Sequence, residues 1–453
     1  MTLKAHFRES FFLALPVMLS NLGHVMMGVF DNIMVGHVNA PSLAAAGLAT
    51  VAFNVLMVFG VGVSYAITPL VATANGEGNE NIVVETLRHG LVINVLNGCM
   101  LVGLVYIGSE LLYYINQPEE VVRLAIPYLG IIMVSLVPML IFQTFKQFLE
   151  GLSNTRVAMI IIFLSNAVNV CLNYLFIYGH AGLPAMGLKG AGWATLLSRI
   201  FMAAVFAGYV YYAPAFQRFR RGFSPGHYSR ALFNKMLHLG VPSGLQFIFE
   251  VAAFDFSLIM MGWLGTTTQA AHQIAINLAS ISYMTTTGLA AAATIRVSYF
   301  LGRGDFKNLK TASYTLLAMA LSFMGLCALI FVLGRNWLPI LYVDNLEVIS
   351  MASSLLVIAG LFQLSDGAQV VCIAALRGLQ DVKIPSVLIF VSYWIIGLPL
   401  GYFLTFILNH GAQGIWLGLL IGLTLTAIAM FMRFRMLVRR MAGNSVPAFH
   451  NIG

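Results

Sequence analysis

Four carboxylates stand where an apolar chain does not place them without a use: Asp31, Glu250, Asp255 and Asp366 each lie inside a long hydrophobic run. At the centre of a membrane helix such a group costs about 2.5–3.5 kcal/mol on insertion scales, so each should face a wet cavity or a partner. No Lys lies at comparable depth in the reading of the runs, and a carboxylate without a counter-ion in that setting binds a proton or a cation. At about 1.5 Å of rise per residue, Glu250 and Asp366 fall near the same depth, roughly 15 Å from one membrane face, and could share one site for Na⁺ or H⁺. Asp255 adds a third carboxylate to that coupling-cation set, although it sits about 7.5 Å outward and roughly 140° around the helix from Glu250. Asp31 belongs to the other half of the chain, where it would couple substrate or proton.

Polar side chains recur beside these acids. Gln363, Asp366 and Gln369 form a stripe at i, i+3 and i+6 along one helix face, Asn166, Asn169 and Asn173 form a similar one, and Gln273 is a further cavity-lining candidate. Such stripes either join helices or line a wet path. Arg199 is the one cation read within a span, where it pairs with an acid or snorkels. Pro16 and Pro242 stand near the starts of corresponding spans and are hinge candidates, the alternative being a proline tolerated in a first helical turn. Methionines flank the acids at Met26, Met27, Met34, Met260 and Met261. Most of the 23 Met and 32 Phe are core or lipid-facing, but a Met- and aromatic-lined cavity holding carboxylates suits bulky lipophilic cations.

The elements that must position these residues follow from composition. The 453 residues are 59% hydrophobic and only 9% charged, where a soluble domain carries roughly 25% charged residues. Apolar windows between polar breaks predict spans near 11–36, 43–72, 88–115, 124–149, 157–179, 190–213, 237–265, 270–300, 312–341, 349–377, 385–409 and 413–437. Twelve spans put both termini on one side. Sorting the 24 Lys and Arg by that topology gathers 20 on the terminal side, leaves Arg123, Lys189 and Arg335 on the other, and makes the terminal side cytoplasmic. The first span runs on from Lys4, Arg8 and Glu9 without a cleavage pattern and is expected to stay in the mature protein.

The chain also repeats itself. A shift of 226 residues lays Pro16 on Pro242, Thr68 on Thr294 and Gly76 on Gly302; a shift of 227 lays LEGL at 149–152 on LRGL at 376–379; one of 223 lays Trp193 on Trp416. Repeats of six spans share one orientation, so the expected fold is an all-α integral membrane protein of twelve helices in two parallel repeats that enclose a central cavity. The expected lobes are residues 1–213 and 237–453, joined by a basic cytoplasmic linker at 214–236.

Other functions fit less well. No loop is long enough for a separate domain, and His24, His37 and His272 show no spacing of an intramembrane enzyme. The net charge of +8 is spread over membrane loops with no nucleic-acid motif. Cys99, Cys171, Cys327 and Cys372 are scattered in apolar runs, which suggests neither a metal site nor disulfides. A channel would not need so asymmetric a placement of acids.

The stretches LPVMLSNL (15–22), FDNIMVGH (30–37), EVAAFDFSLIMMGWLG (250–265), AAHQIAINL (270–278), RVSYFLGRGD (296–305), ALRGLQD (375–381) and YWIIGLPLGYFL (393–404) resemble the multidrug and toxic compound extrusion (MATE) family, and its NorM-like branch in particular. The resemblance implies a cation-coupled antiporter that exports lipophilic cationic drugs in exchange for Na⁺ or H⁺. It implies a bacterial inner-membrane location, no cofactor and a monomer. Glu250 and Asp366 match that branch's paired acids and Asp31 the family's span-one Asp, whereas Asp255 departs from the pattern. A lipid-linked oligosaccharide flippase of the same superfamily is the alternative; it would need a cavity rich in Arg or Lys for pyrophosphate, and Arg199 alone lies at that depth.

Overall fold

The computed structural model describes residues 1–114, 118–224, 226 and 228–443. In chain order its α-helices are α1 (Leu3–Gly36), α2 (Ala40–Ser64), α3 (Ile67–Glu77), α4 (Glu80–Gly108), α5 (Glu119–Val134), α6 (Leu136–Gly151), α7 (Arg156–Tyr178) and α8 (Leu188–Tyr212). They continue as α9 (Arg230–Trp263), α10 (Thr266–Gly302), α11 (Phe306–Leu333), α12 (Leu346–Gly378), α13 (Lys383–Phe390), α14 (Leu398–Tyr402) and α15 (Ala412–Gly443). Among the described residues, eleven helical segments are long and apolar enough to cross a membrane. The twelfth, α10, has 37 residues but is rich in Thr, Ser, Asn and Gln, which lowers its hydropathy without shortening it. The twelve expected spans are thus all helical.

Two spans are broken where hydropathy shows nothing. α2 gives way to α3 at Tyr65–Ala66, and α5 to α6 at Ser135. Pro69 and Pro138 lie just inside the following helices and cannot donate to the carbonyls four residues back, so each break falls where the missing N–H would have bonded. Helices also begin earlier than the apolar windows: α1 starts at Leu3 and α9 at Arg230, because a helix continues through charged residues at the membrane surface. Pro16 and Pro242 therefore lie inside their helices, well past the first turn, and the first-turn explanation for them falls away.

By packing, the chain forms two compact units, one of residues Leu19–Gly244 and one of Met1–Met18 with Leu245–Gly453. In α1 and in α9 the division falls two residues beyond the proline. Within the first unit α8 packs on α5, α6 and α7. Within the second, α12 is central, against α10, α11 and α15, and Tyr393 and Trp416 are fully buried.

The internal repeat is visible in local detail inside each unit. Thr68 donates to the Gln147 carbonyl at 3.1 Å, and Thr294 donates to the Ala374 carbonyl at 2.9 Å. Gly78 (φ 72°) and Gly304 (φ 66°) end corresponding helices in the left-handed region that glycine adopts without strain. The residues that follow them, Asn79 and Asp305, cap the next helices through Ile82 N (3.2 Å) and Asn308 N (3.0 Å). Ser153 (φ 62°) and Gln380 (φ 61°) occupy the same left-handed position after LEGL and LRGL.

Candidate functional site

Glu250 and Asp366 are both buried, at 7% and 4% exposure, on α9 and α12, and each lies within range of the other's charge. Gln369, one turn along the polar stripe from Asp366, donates from Nε2 to Glu250 Oε1 at 3.0 Å. Its Oε1 accepts from the Tyr393 hydroxyl at 3.1 Å. The third stripe member, Gln363, accepts from Ser282 Oγ of α10 at 2.8 Å, and its amide nitrogen is buried without a protein partner among the described residues. Spacing at i, i+3 and i+6 puts the three α12 side chains on one face, and the structure turns that face inward.

Tyr393 enters the site because the helix after α13 widens into a π-helical stretch, Val391–Gly397. Such a turn accommodates an extra residue and re-aims side chains; here Pro399, which cannot donate, follows directly. The adjacent Trp394 donates from Nε1 to the carbonyl of Phe249 at 2.9 Å, which fixes the backbone next to Glu250. Arg377, at the far end of α12, acts electrostatically on Glu250 while its guanidinium lies 5.5 Å from the centre of the Phe247 ring. By its place in the chain Arg377 belongs with the cytoplasmic charges, and Tyr393 opens the stretch YWIIGLPLGYFL but lies on no polar stripe that would mark it as a site residue.

Asp255 is not brought to this pair. It is exposed on α9, about 140° around the helix from the buried Glu250, and no hydrogen bond among the described residues joins it to the pair. Gln273 is likewise exposed and donates to Asn277 of its own helix at 3.2 Å.

The other unit holds a second polar cluster around Asp31. Asn173 Nδ2 donates to Asp31 Oδ1 at 2.5 Å and Thr195 Oγ1 to Oδ2 at 3.1 Å. Asn173 also donates to Asn169 Oδ1 at 3.2 Å, and Asn169 donates to Ser198 Oγ at 3.4 Å. Arg199 feels the charge of Asp31, donates to Ser135 Oγ at 2.6 Å and lies 4.8 Å from the centre of the Phe53 ring. Ser135 is the residue at the α5–α6 break. Asn166, by contrast, donates to the Gly23 carbonyl at 2.7 Å and joins α7 to α1 rather than entering the cluster. Lys146, counted from sequence as a surface charge, is buried beside Glu150 at 3.6 Å, so one Lys does accompany an acid in the protein interior.

Among the described residues no three His, Cys, Asp or Glu side chains gather into a metal-binding group. The Glu250–Asp366 pair instead offers hard oxygen atoms, from two carboxylates with an amide and a phenol beside them. That donor set suits an alkali cation or a proton rather than a transition metal.

The MatE family model matches residues 16–175 and 242–403. The chain is 35% identical over 442 residues to the probable multidrug resistance protein NorM of Rhizobium meliloti (strain 1021), covering 96% of this chain and 95% of that one. It is 34% identical over 435 residues to the multidrug resistance protein MdtK of Yersinia pseudotuberculosis serotype O:1b (strain IP 31758), covering 94% and 95%. Among solved structures, a MATE crystal structure in the bent conformation superposes with a TM-score of 0.88 at 20% identity, over 98% of this chain and 99% of that one.

Proposed function

Because the chain belongs to the MatE family of multi-pass membrane transporters, we propose that it exports lipophilic cationic drugs and toxic compounds by alternating access, in exchange for inward Na⁺ or H⁺. Export of several drugs is supported by the multidrug-resistance names of the relatives. The cation coupling rests on one observation: Glu250 and Asp366, two buried carboxylates of neighbouring helices, lie within each other's field. Arg377 offsets part of that charge, and a bound cation or proton offsets the rest.

Coupling then follows from competition. A drug cation held by the negative field loses its attraction when Na⁺ or H⁺ occupies the pair, and it is released. Gln369 and Tyr393 hold Glu250 in place for the ion. Asp31, inside its net of Asn173 and Thr195, serves substrate or proton coupling in the first lobe, while Pro16 and Pro242 act as hinges. The lobes are residues 1–213 and 237–453 with the basic linker 214–236, in a bacterial inner membrane with both termini cytoplasmic, and the protein works as a monomer.

The test is ethidium transport in proteoliposomes under an imposed Na⁺ or proton gradient. Glu250→Gln and Asp366→Asn should each abolish gradient-driven transport while the protein still inserts and elutes as a single species. Normal transport by both variants would sink the reading, and the gradient that drives the wild type identifies the ion.

A further inference from the structure

A groove of about 1180 Å³ runs along α1, α10 and α11 within the second unit and shares no lining residue with either cluster of acids. Its walls are mostly apolar, with Phe7, Phe11, Met18, Leu289, Met319 and Phe323 among them. The hydroxyls of Thr311 and Thr315 bond back to their own helix, at 3.0 Å to the Lys307 carbonyl and 2.8 Å to the Thr311 carbonyl, so these two residues leave their methyl groups for the groove.

One end of the groove is different. Lys4, in the first turn of α1, and Lys307 and Lys310, in the first turns of α11, line it and are exposed. Lysines in the first turns of helices oppose the positive end of the helix dipole, an arrangement that an anion relieves. None of the three forms an ion pair with a carboxylate among the described residues. The nearby acids are engaged elsewhere: Glu9 pairs with Arg296 at 3.2 Å, and Asp305 accepts from the backbone and side chain of Asn308 at 3.0 and 2.6 Å.

We propose that this groove seats an anionic glycerophospholipid of the adjacent leaflet, with its phosphate on Lys4, Lys307 and Lys310 and an acyl chain along α1 and α11. Length supports the occupant. Lys4 to Met18 spans about 21 Å at the helical rise, close to the roughly 20–22 Å of half a bilayer from headgroup to midplane. Charge supports it too, since basic pockets between membrane helices select acidic headgroups. Under the proposed orientation the leaflet is the cytoplasmic one.

Native mass spectrometry of the purified full-length protein, delipidated and then given equal amounts of phosphatidylglycerol and phosphatidylcholine of matched chains, tests this. The wild type should retain phosphatidylglycerol preferentially. Single Lys4→Gln, Lys307→Gln and Lys310→Gln variants should each lower that retention roughly fivefold, and the triple variant should abolish the preference. Ala318→Trp, which fills the exposed floor of the groove with the lysines intact, should also lose the lipid. Glycerol 3-phosphate in excess should not displace it. Equal retention of the two lipids by the wild type, unchanged retention in the lysine variants, unchanged retention with Ala318→Trp, or displacement by glycerol 3-phosphate would each overturn the proposal. The singles decide the matter if the triple variant does not fold.

Discussion

Gln369 is a bridge: its Nε2 donates to Glu250 Oε1 at 3.0 Å while its Oε1 accepts from the Tyr393 hydroxyl at 3.1 Å. A single amide thus connects α9, α12 and the π-helical stretch after α13. The amide supplies a hydrogen bond to the Glu250 carboxylate and is itself held by the Tyr393 hydroxyl.

The two links should differ in weight. Gln369→Ala leaves a buried carboxylate without its charge-assisted bond, a loss of about 1–3 kcal/mol, and should raise the coupling-ion concentration for half-maximal transport roughly tenfold. Tyr393→Phe removes only the outer bond and should shift it by no more than a few-fold. Transport titrated against the driving ion in proteoliposomes measures both, and a larger effect from Tyr393→Phe would contradict the bridge.

The two repeats should respond alike to a methyl group. A Cβ at Gly151 would sit 2.7 Å from Val71 Cβ, and one at Gly378 would sit 2.8 Å from Val297 Cβ; both are also 3.1 Å from a threonine carbonyl oxygen, of Thr68 and Thr294. These neighbours are backbone or branched at Cβ and yield little. Gly151→Ala and Gly378→Ala should each destabilise the protein by about 1–3 kcal/mol, seen as similar falls in detergent melting temperature. A normal melting temperature for one variant beside a marked fall for the other would show that the repeats no longer share this packing.

Hydropathy made the twelve spans legible because a bilayer leaves few alternatives to long apolar helices, and even α10 stood out through its Ala, Ile and Leu content. It could not show the break at Ser135, since the cause is the N–H that Pro138 lacks, not a change in polarity. The α12 stripe was readable as a face from spacing alone, and the structure buries all three of its members. Which helices the stripe meets was not readable, because partner choice depends on packing between segments more than 100 residues apart, as the separations of 119 for Gln369–Glu250 and 142 for Asn173–Asp31 show. Asp255 illustrates the converse: five residues along α9 from Glu250, it lies about 140° around the helix and is exposed where Glu250 is buried.

That offset makes a prediction. Asp255 is exposed whereas Glu250 is buried, so Asp255→Asn should leave ion-driven ethidium transport within about twofold of the wild type, in line with the small effects of most exposed substitutions. Loss of transport comparable to that of Glu250→Gln in the same vesicles would show that Asp255 takes part in coupling.

Arg296 fastens the start of α1 onto α10. It is 3% exposed and donates from Nη1 to the His6 carbonyl at 2.7 Å and to Ser10 Oγ at 2.9 Å, while Nη2 lies 3.2 Å from Glu9 Oε2. A lysine has one nitrogen and cannot reproduce that fork. Arg296→Lys should therefore loosen residues 3–18 specifically, with hydrogen exchange in that segment faster by roughly tenfold and the rest of α10 little changed. Uniform acceleration across the protein would indicate general destabilisation instead.

The Asp31 cluster allows the most discriminating experiment, because its carboxylate is held by two donors of different kinds. Asn173 donates to Oδ1 and also to Asn169, whereas Thr195 has a single proton to divide between Oδ2 and the Ala191 carbonyl of its own helix, 3.0 Å away. Asn173→Leu removes a donor to the carboxylate and leaves an apolar group beside a partly buried charge, which costs about 1–3 kcal/mol. Asp31→Asn removes the charge itself, so the penalty for deleting Asn173 should shrink when the two changes are combined. A double-mutant cycle on melting temperature and on ethidium transport separates the two roles. Coupling of about 1–3 kcal/mol in stability with transport lost in both Asp31→Asn backgrounds is the expected result. Strictly additive stability effects would mean that the contact contributes nothing, and full transport by Asp31→Asn would remove Asp31 from the transport mechanism.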